Sequence, residues 1–211
     1  MSNEVLQIID VLAIGRSHDD ECDLWFPHDD DIATEIKVLA AKHAESPEAA
    51  ARLEATMQDL QKRALETKPP AFTVVIWSPA EKLRAGHVIG YIFVQLEGYF
   101  DLVTQQDWLE APQMMFDLLK RPKSRRRGDT IHDWGKAINL EGPAGPTFVE
   151  RTVLSERGGP LMQRHIQAVF PPGSRSVVWL HAWTMAMEYA EQFTDATLSM
   201  SQSIRVGFLN E

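Results

Sequence analysis

The last third of the chain most constrains the fold. From Pro146 to Glu211, two or three strand-like stretches separated by glycine and proline precede one amphipathic helix of about residues 186–203. The predicted strands are Thr147–Leu154, Leu161–Phe170 and Val177–Thr184. Short turns between consecutive strands favour antiparallel pairing. This order predicts an antiparallel sheet with a helix packed on it, and it contains no catalytic motif.

Length and composition limit the functional classes. A chain of 211 residues, 44% of them hydrophobic, can bury a core without a metal or a disulfide. Cys22 is the one cysteine, which excludes an intramolecular disulfide and a metal cluster of several thiolates. We therefore expect no cofactor. The net charge of −9 opposes general nucleic-acid binding and favours cationic partners.

The amino-terminal segment predicts neither a signal peptide nor a membrane anchor. Its apolar run from Val5 to Ile14 is interrupted by Gln7 and Asp10 and has no positive residues before it. No stretch of the chain approaches the roughly 20 apolar residues that a membrane helix needs. We expect a protein of the reducing cytoplasm that does not insert into a membrane.

The earlier part of the chain predicts a helical hairpin followed by central strands. Two amphipathic helices fill about residues 30–66, and Ser46-Pro47 marks the start of the second. Two strands with apolar residues on both faces follow, and a further helix covers Thr104–Leu119; the strands are Phe72–Trp77 and His87–Leu96. Residues 5–14 fit a strand or a helical turn, and the acidic stretch from His18 to Asp31 reads as a loop.

We therefore predict one α+β domain over residues 1–211, with the hairpin at about 30–66 and the sheet and its helices at about 70–211. The expected sheet is curved and mostly antiparallel, with about five to seven strands.

Two acidic stretches have the composition of metal ligands. They are His18–Glu21 and His28–Asp31. Neighbouring residues in a loop point in different directions, whereas a metal site needs ligands that converge from separate elements. The alternative is a solvated loop whose later acids begin a helix. We predict no metal site here.

One segment concentrates positive charge without any acid. It contains Lys120, Arg121, Lys123, Arg125, Arg126 and Arg127. Such a cluster could bind an acidic protein surface or a phosphate. It has no aromatic residues between the charges, which single-stranded nucleic-acid binders use for stacking. The alternative is a solvated loop attracted to the acidic surface of the protein itself.

Histidines and tryptophans are concentrated on two neighbouring strands. By the period of two, Trp179, His181 and Trp183 share one face, and a central turn would place His165 almost opposite His181. Together they could line a cavity between the sheet and the last helix, which makes these four residues candidate ligand-binding positions. A slip of one residue would send His165 to the other face. The alternative is that all four pack beneath the helix.

Other motif searches identify no catalytic residue. The sequence has no phosphate-binding Gly-x-x-x-x-Gly-Lys, no Gly-x-Gly-x-x-Gly and no Gly-x-Ser-x-Gly.

Four stretches near the carboxyl end resemble a family of actinobacterial proteins whose fold is similar to the Mog1/PsbP sandwich. The stretches cover about a third of the chain, with weaker similarity around Phe72–Leu96, and they are Gly142–Pro146, His165–Pro171, Val178–Thr184 and Tyr189–Ala196. This chain has Phe193-Thr194-Asp195 where that family tends to have Phe-Asp, and Met185 where it tends to have proline. The resemblance implies a curved antiparallel sheet between helices, in proteins that bind macromolecules without chemistry. It assigns no functional residue.

Two functional hypotheses follow. The first is a non-enzymatic interaction or accessory protein with a protein partner, since well-patterned core elements occur without a catalytic motif. The second is a small-ligand-binding protein or enzyme that uses the cavity of His165 and His181. The sequence specifies neither the partner nor the oligomeric state.

Overall fold

The computed structural model describes residues 5–10, 20–25, 31–98, 114, 116–117, 128–135, 138–172, 174 and 176–209, with the backbone alone for 5–10, 20–25 and 206–209. In chain order the elements are β1 (Val5–Asp10), β2 (Asp20–Trp25), α1 (Ile32–His43), α2 (Pro47–Glu66), β3 (Thr73–Pro79), α3 (Ala80–Arg84), β4 (Gly90–Gly98), β5 (Thr130–Trp134), β6 (Ile138–Gly142), β7 (Gly145–Ser155), β8 (Leu161–Val169), β9 (Ser176–Thr184), a 3-10 turn (Met187–Tyr189), α4 (Ala190–Ser203) and β10 (Arg205–Leu209).

The main sheet has eight strands, and every pairing in it is antiparallel. Seven strands follow the order β2-β3-β4-β9-β8-β7-β5, and β6 pairs with the other end of β7. Strands β1 and β10 form a separate two-stranded ribbon. The predicted α+β class and the mostly antiparallel sheet are confirmed.

Helices α1 and α2 form the expected hairpin and cover one face of the sheet, which we call the hairpin face. The hydroxyl of Ser46 accepts a hydrogen bond of 3.1 Å from the backbone N–H of Ala49 and so caps α2. The buried stripe of α2 packs with residues of α1 and of β3 and β4; the stripe is Leu53, Met57, Leu60 and Ala64. Burial of this stripe removes apolar surface from water at about 25 cal/mol per Å².

Helix α4 covers the opposite face, which we call the helix face. Phe193 and Met200 of α4 are fully buried and belong to one core with residues of β3, β4, β8 and β9; these are Val75, Trp77, Ile92, Val94, Val169, Val178, Leu180 and Ala182. The described helices include none that is long and apolar enough to cross a membrane.

Several elements differ from the sequence-based predictions. The acidic stretch predicted as a loop contains β2, an edge strand that pairs with β3. Edge strands tolerate charged side chains because only one side of the strand is paired. The short strands β5, β6 and β10 were not predicted. Each has five residues, too few for a clear period-two pattern.

The helix predicted at Thr104–Leu119 lies mostly outside the described residues. Within it, Met114, Phe116 and Asp117 are helical. Phe116 is fully buried on the hairpin face, with its ring centroid 5.6 Å from that of Phe148 and 6.3 Å from that of Trp179.

Two glycines have similar backbone conformations but different surroundings, so their replacement by alanine should cost different amounts of stability. Gly86 has φ +82°, and a Cβ there would lie 2.4 Å from the carbonyl oxygen of Ala49 in α2. Gly158 has φ +77°, and a Cβ there would meet nothing within 4 Å. In both cases alanine costs about 1–2 kcal/mol for a left-handed conformation. Gly86→Ala should lower the free energy of unfolding by about 1–3 kcal/mol more, because the backbone of α2 must move.

Urea unfolding of the two variants, followed by tryptophan fluorescence, measures this difference. Equal losses of unfolding free energy in Gly86→Ala and Gly158→Ala would show that the packing of α2 does not require a glycine at position 86.

Candidate functional site

The register between β8 and β9 separates the two candidate histidines. Val169 pairs with Val178, so that Ala182 lies opposite His165 and Ile166 lies opposite His181. His165 therefore faces α4, whereas His181 is on the hairpin face. The predicted pocket lined by both imidazoles does not form. Along β9, the aliphatic side chains of Val178, Leu180 and Ala182 lie under α4, and the two indoles lie on the other face.

His165 is held in a closed hydrogen-bond network between β8 and α4. Its Nδ1 lies 2.7 Å from Oγ1 of Thr197, which itself donates to the carbonyl of Thr194 at 2.9 Å. Its Nε2 lies 2.9 Å from the amide nitrogen of Gln163, which also donates to the carbonyl of Ala190 at 2.9 Å. The network therefore fits a neutral imidazole that donates from Nδ1 and accepts at Nε2.

The surroundings disfavour a charged His165. Burial lowers its pKa to about 4, and the guanidinium of Arg151, on the residue opposite in β7, acts in the same direction. Phe193 covers the ring, with centroids 5.8 Å apart. His165 packs beneath α4, as the packing alternative predicts for it. The same alternative is wrong for the other three residues, which lie on the hairpin face.

The other three candidate residues form a column of stacked rings on the hairpin face. The ring centroids of Trp179 and His181 are 6.0 Å apart, those of His181 and Trp183 are 5.8 Å apart, and those of Trp183 and Tyr91 are 5.3 Å apart. The interplanar angles along this aromatic column are 30°, 21° and 24°. Trp179 is fully buried, while Trp183 is partly exposed. The aromatic column therefore runs from the core to the surface.

A cleft of about 290 Å³ lies where the aromatic column reaches the surface. Its floor is aromatic and its rim is charged. Side chains of α2, β4, β8 and β9 and of the turn before β8 line it: Arg63, Glu66, Thr67, Tyr91, Phe93, Glu156, Met162 and Trp183. Phe93 supports the floor, because it packs edge-on against Trp183 with a centroid distance of 5.4 Å and an angle of 64°.

Arg63 lies over part of this aromatic floor. Its guanidinium carbon is 4.9 Å from the ring centroid of Tyr91, and its Nη2 donates a hydrogen bond to the Tyr91 hydroxyl. Burial raises the pKa of Tyr91, Arg63 opposes this shift, and the nearby carboxylate of Glu156 adds to it. Tyr91 is thus a neutral phenol whose oxygen accepts from Arg63.

The structure places the predicted site residues at different positions. Trp183 lines the cleft, Trp179 and His181 support it from within, and His165 lies across the sheet. The basic cluster Lys120–Arg127 lies outside the described residues, so its role as a partner site stays a prediction. His18 and His28 of the acidic stretches also lie outside them. In the part of the chain that the structure describes, no three His, Cys, Asp or Glu side chains are grouped as metal ligands.

Sequence reasoning missed the cleft itself. Arg63, Tyr91 and Glu156 come from three distant parts of the chain and meet through the pairing of β4 with β9 and of β8 with β9. A partial signal existed: Tyr91 and Phe93 alternate with Ile92 and Val94, which places both rings on one face of a predicted strand.

Comparisons with known proteins give fold neighbours and no family. No protein-family model and no curated protein sequence matches the chain. The chain is similar to LpqN, a protein involved in cell envelope biogenesis of Mycobacterium tuberculosis, at a TM-score of 0.42 and 12% identity over 66% of this chain and 72% of that one. It is also similar to cyanobacterial PsbP from Synechocystis at a TM-score of 0.38 and 6% identity, over 64% of this chain and 74% of that one.

Both neighbours have Mog1/PsbP-like folds, the fold that the sequence resemblance implies. The likeness concerns the fold alone, and neither structure supplies a ligand or a functional residue for this chain.

The His165 network predicts a specific pH dependence of stability. The folded state holds His165 neutral down to about pH 4, whereas an unfolded histidine binds a proton near pH 6.5. Because the unfolded state binds more protons between these values, the contribution of His165 to stability falls as the pH falls from about 6.5 to 4 and is constant below. The loss attributable to His165 should be about 3 kcal/mol.

Chemical denaturation of the wild type and of His165→Gln at pH 7 and at pH 4 isolates this contribution, because other groups titrate in both proteins. The difference between the two free energies of unfolding should shrink at the lower pH. A difference that does not change with pH would contradict the role given to His165.

Proposed function

We propose that the protein is a non-enzymatic binding protein, and that the cleft between α2 and strands β4, β8 and β9 receives an anchoring side chain of a protein partner. The observation that carries this proposal is the aromatic column, which ends at the surface in a cleft floored by Tyr91, Phe93 and Trp183.

The size of the cleft favours a side chain as the occupant. Sites for small molecules and cofactors occupy about 300–1,000 Å³, and the cleft of about 290 Å³ is at the lower limit of that range. Hot-spot residues of an interface, often Trp, Tyr or Arg, typically insert into well-packed pockets of the partner. A small molecule with an aromatic or charged group is the alternative occupant, and its supporting observation is Trp183 in the lining.

The cleft is also organised before anything binds. Trp183 has His181 on one side and Tyr91 on the other within the aromatic column, and Phe93 packs against its edge. Rings that are already fixed lose little conformational entropy when a partner contacts them. Aromatic side chains provide a large contact area, which is why tyrosine and tryptophan dominate binding energy at interfaces.

Replacement of Trp183 should remove most of the binding energy of the cleft. Peptides selected from a random library on the immobilised wild-type protein should bind Trp183→Ala about 10-fold or more weakly. The matched control is Trp134→Ala, which removes a tryptophan that is 48% exposed on β5, a strand at the opposite end of the sheet from β3 and β4. Its peptide affinity should stay within about twofold of the wild type.

Fluorescence anisotropy with labelled peptides gives the dissociation constants, and circular dichroism establishes that both variants are folded. Selected peptides that bind Trp183→Ala as tightly as the wild type, or a library that yields no binding peptide, would overturn the proposal.

A further inference from the structure

We infer that the group which the cleft receives is a cation, the arginine or lysine side chain of a partner protein, and that Arg63 covers the same aromatic face in the unbound protein. This inference rests on the proposed function and gives the occupant its chemistry. It starts from the position of Arg63 within the cleft.

Arg63 shows what the aromatic floor can hold. Its guanidinium carbon lies 4.9 Å from the ring centroid of Tyr91, within the distance of about 6 Å at which a cation is attracted to the negative face of a ring. The cleft thus already contains a cation, supplied by the protein itself.

The charge at the rim also favours a cation. Glu66 and Glu156 line the cleft together with Arg63, so the lining carries two carboxylates and one guanidinium. Asp59 adds a third carboxylate one turn before Arg63 on α2. Among the described residues, neither Glu66 nor Glu156 takes part in an ion pair. An anionic ligand would be repelled by these groups, and a neutral one would leave them unused.

Arg63 is partly exposed, and its hydrogen bond and ring contact with Tyr91 are the contacts that an incoming cation would have to replace. Its one ion pair with a described residue is the contact with Asp59 at 4.0 Å, and the two side chains are 47% and 66% exposed. Surface pairs of this kind contribute little to stability. An incoming cation replaces Arg63 over the Tyr91 ring, and the displaced guanidinium keeps Asp59 as a neighbour.

This exchange makes Arg63 an internal competitor of the partner. A protein whose binding-competent state is partly occupied by its own side chain binds more weakly in proportion to that occupancy. Removal of Arg63 should therefore strengthen the binding of a cationic ligand, which is the opposite of what a directly contacting residue would do.

The test compares two isosteric probes on the full-length protein. The probes are acetyl-Gly-Arg-Gly-amide and the same tripeptide with citrulline, which replaces the charged guanidinium by a neutral urea group. The readout is the indole N–H signal of Trp183 in ¹H–¹⁵N spectra, assigned by its loss in Trp183→Phe. We expect the arginine peptide to bind about 5-fold or more tightly, and its affinity to fall at high salt.

Two variants and a control test the exchange. Arg63→Ala should raise the affinity for the arginine peptide about 2- to 5-fold. This is the change in affinity expected when the contact of a partly exposed cation with a ring is removed. Glu156→Gln should lower it. The control is Lys62→Ala, which removes the same charge from the adjacent position of α2 outside the cleft and should leave the affinity unchanged.

The outcomes separate this inference from the proposed function. Equal binding of the arginine and citrulline peptides at the Trp183 signal overturns the cationic occupant while the cleft remains a binding site. A lower affinity in Arg63→Ala overturns the role of Arg63 as competitor. If neither tripeptide shifts the Trp183 signal while the binding of library peptides still requires Trp183, the cationic occupant is wrong and the proposed function stands. If library peptides also bind without Trp183, the proposed function is wrong as well.

Discussion

The antiparallel pairing of β4 with β9 is the interaction on which the rest of the structure depends. It extends from Gly90 opposite Thr184 to Gly98 opposite Ser176 and joins strands that are far apart in sequence. Closing so long a loop costs entropy, and the hydrogen bonds and the burial of both faces must offset it. The pairing joins β3 and β4, on which the helical hairpin packs, to the carboxyl-terminal strands in one sheet. It also places Tyr91 beside Trp183.

The two faces of this sheet have different physical characters. The helix face is closed by α4 around a mostly aliphatic core and a hydrogen-bond network in which His165 is fixed by Gln163 and Thr197. The hairpin face combines the aliphatic stripe of α2 with the aromatic column along β9. The aromatic column of the hairpin face ends in the cleft, whereas His165 and His181 lie on opposite faces of the sheet and therefore cannot line one site.

Local patterns predicted most of the fold. The hairpin, the two central strands, the three strands after Gly145 and the last helix all follow from hydrophobic periodicity and from turn residues, which act within a few positions. Sheet register is different, because it depends on which of two neighbouring pairings buries the better-fitting set of side chains. That choice, made at Val169 and Val178, separated His165 from His181. The cleft was even less accessible to sequence reasoning, since Arg63, Tyr91 and Glu156 meet only through the pairings of β4 with β9 and of β8 with β9.

The position of Arg63 over Tyr91 has a consequence for the protein in its empty state. Uncovered aromatic surfaces attract one another and make proteins aggregate. A guanidinium is hydrated on its outer side and can lie flat on a ring, so Arg63 gives solvent a charged surface where bare rings would otherwise be displayed. The same side chain thereby helps to keep copies of the protein apart from one another.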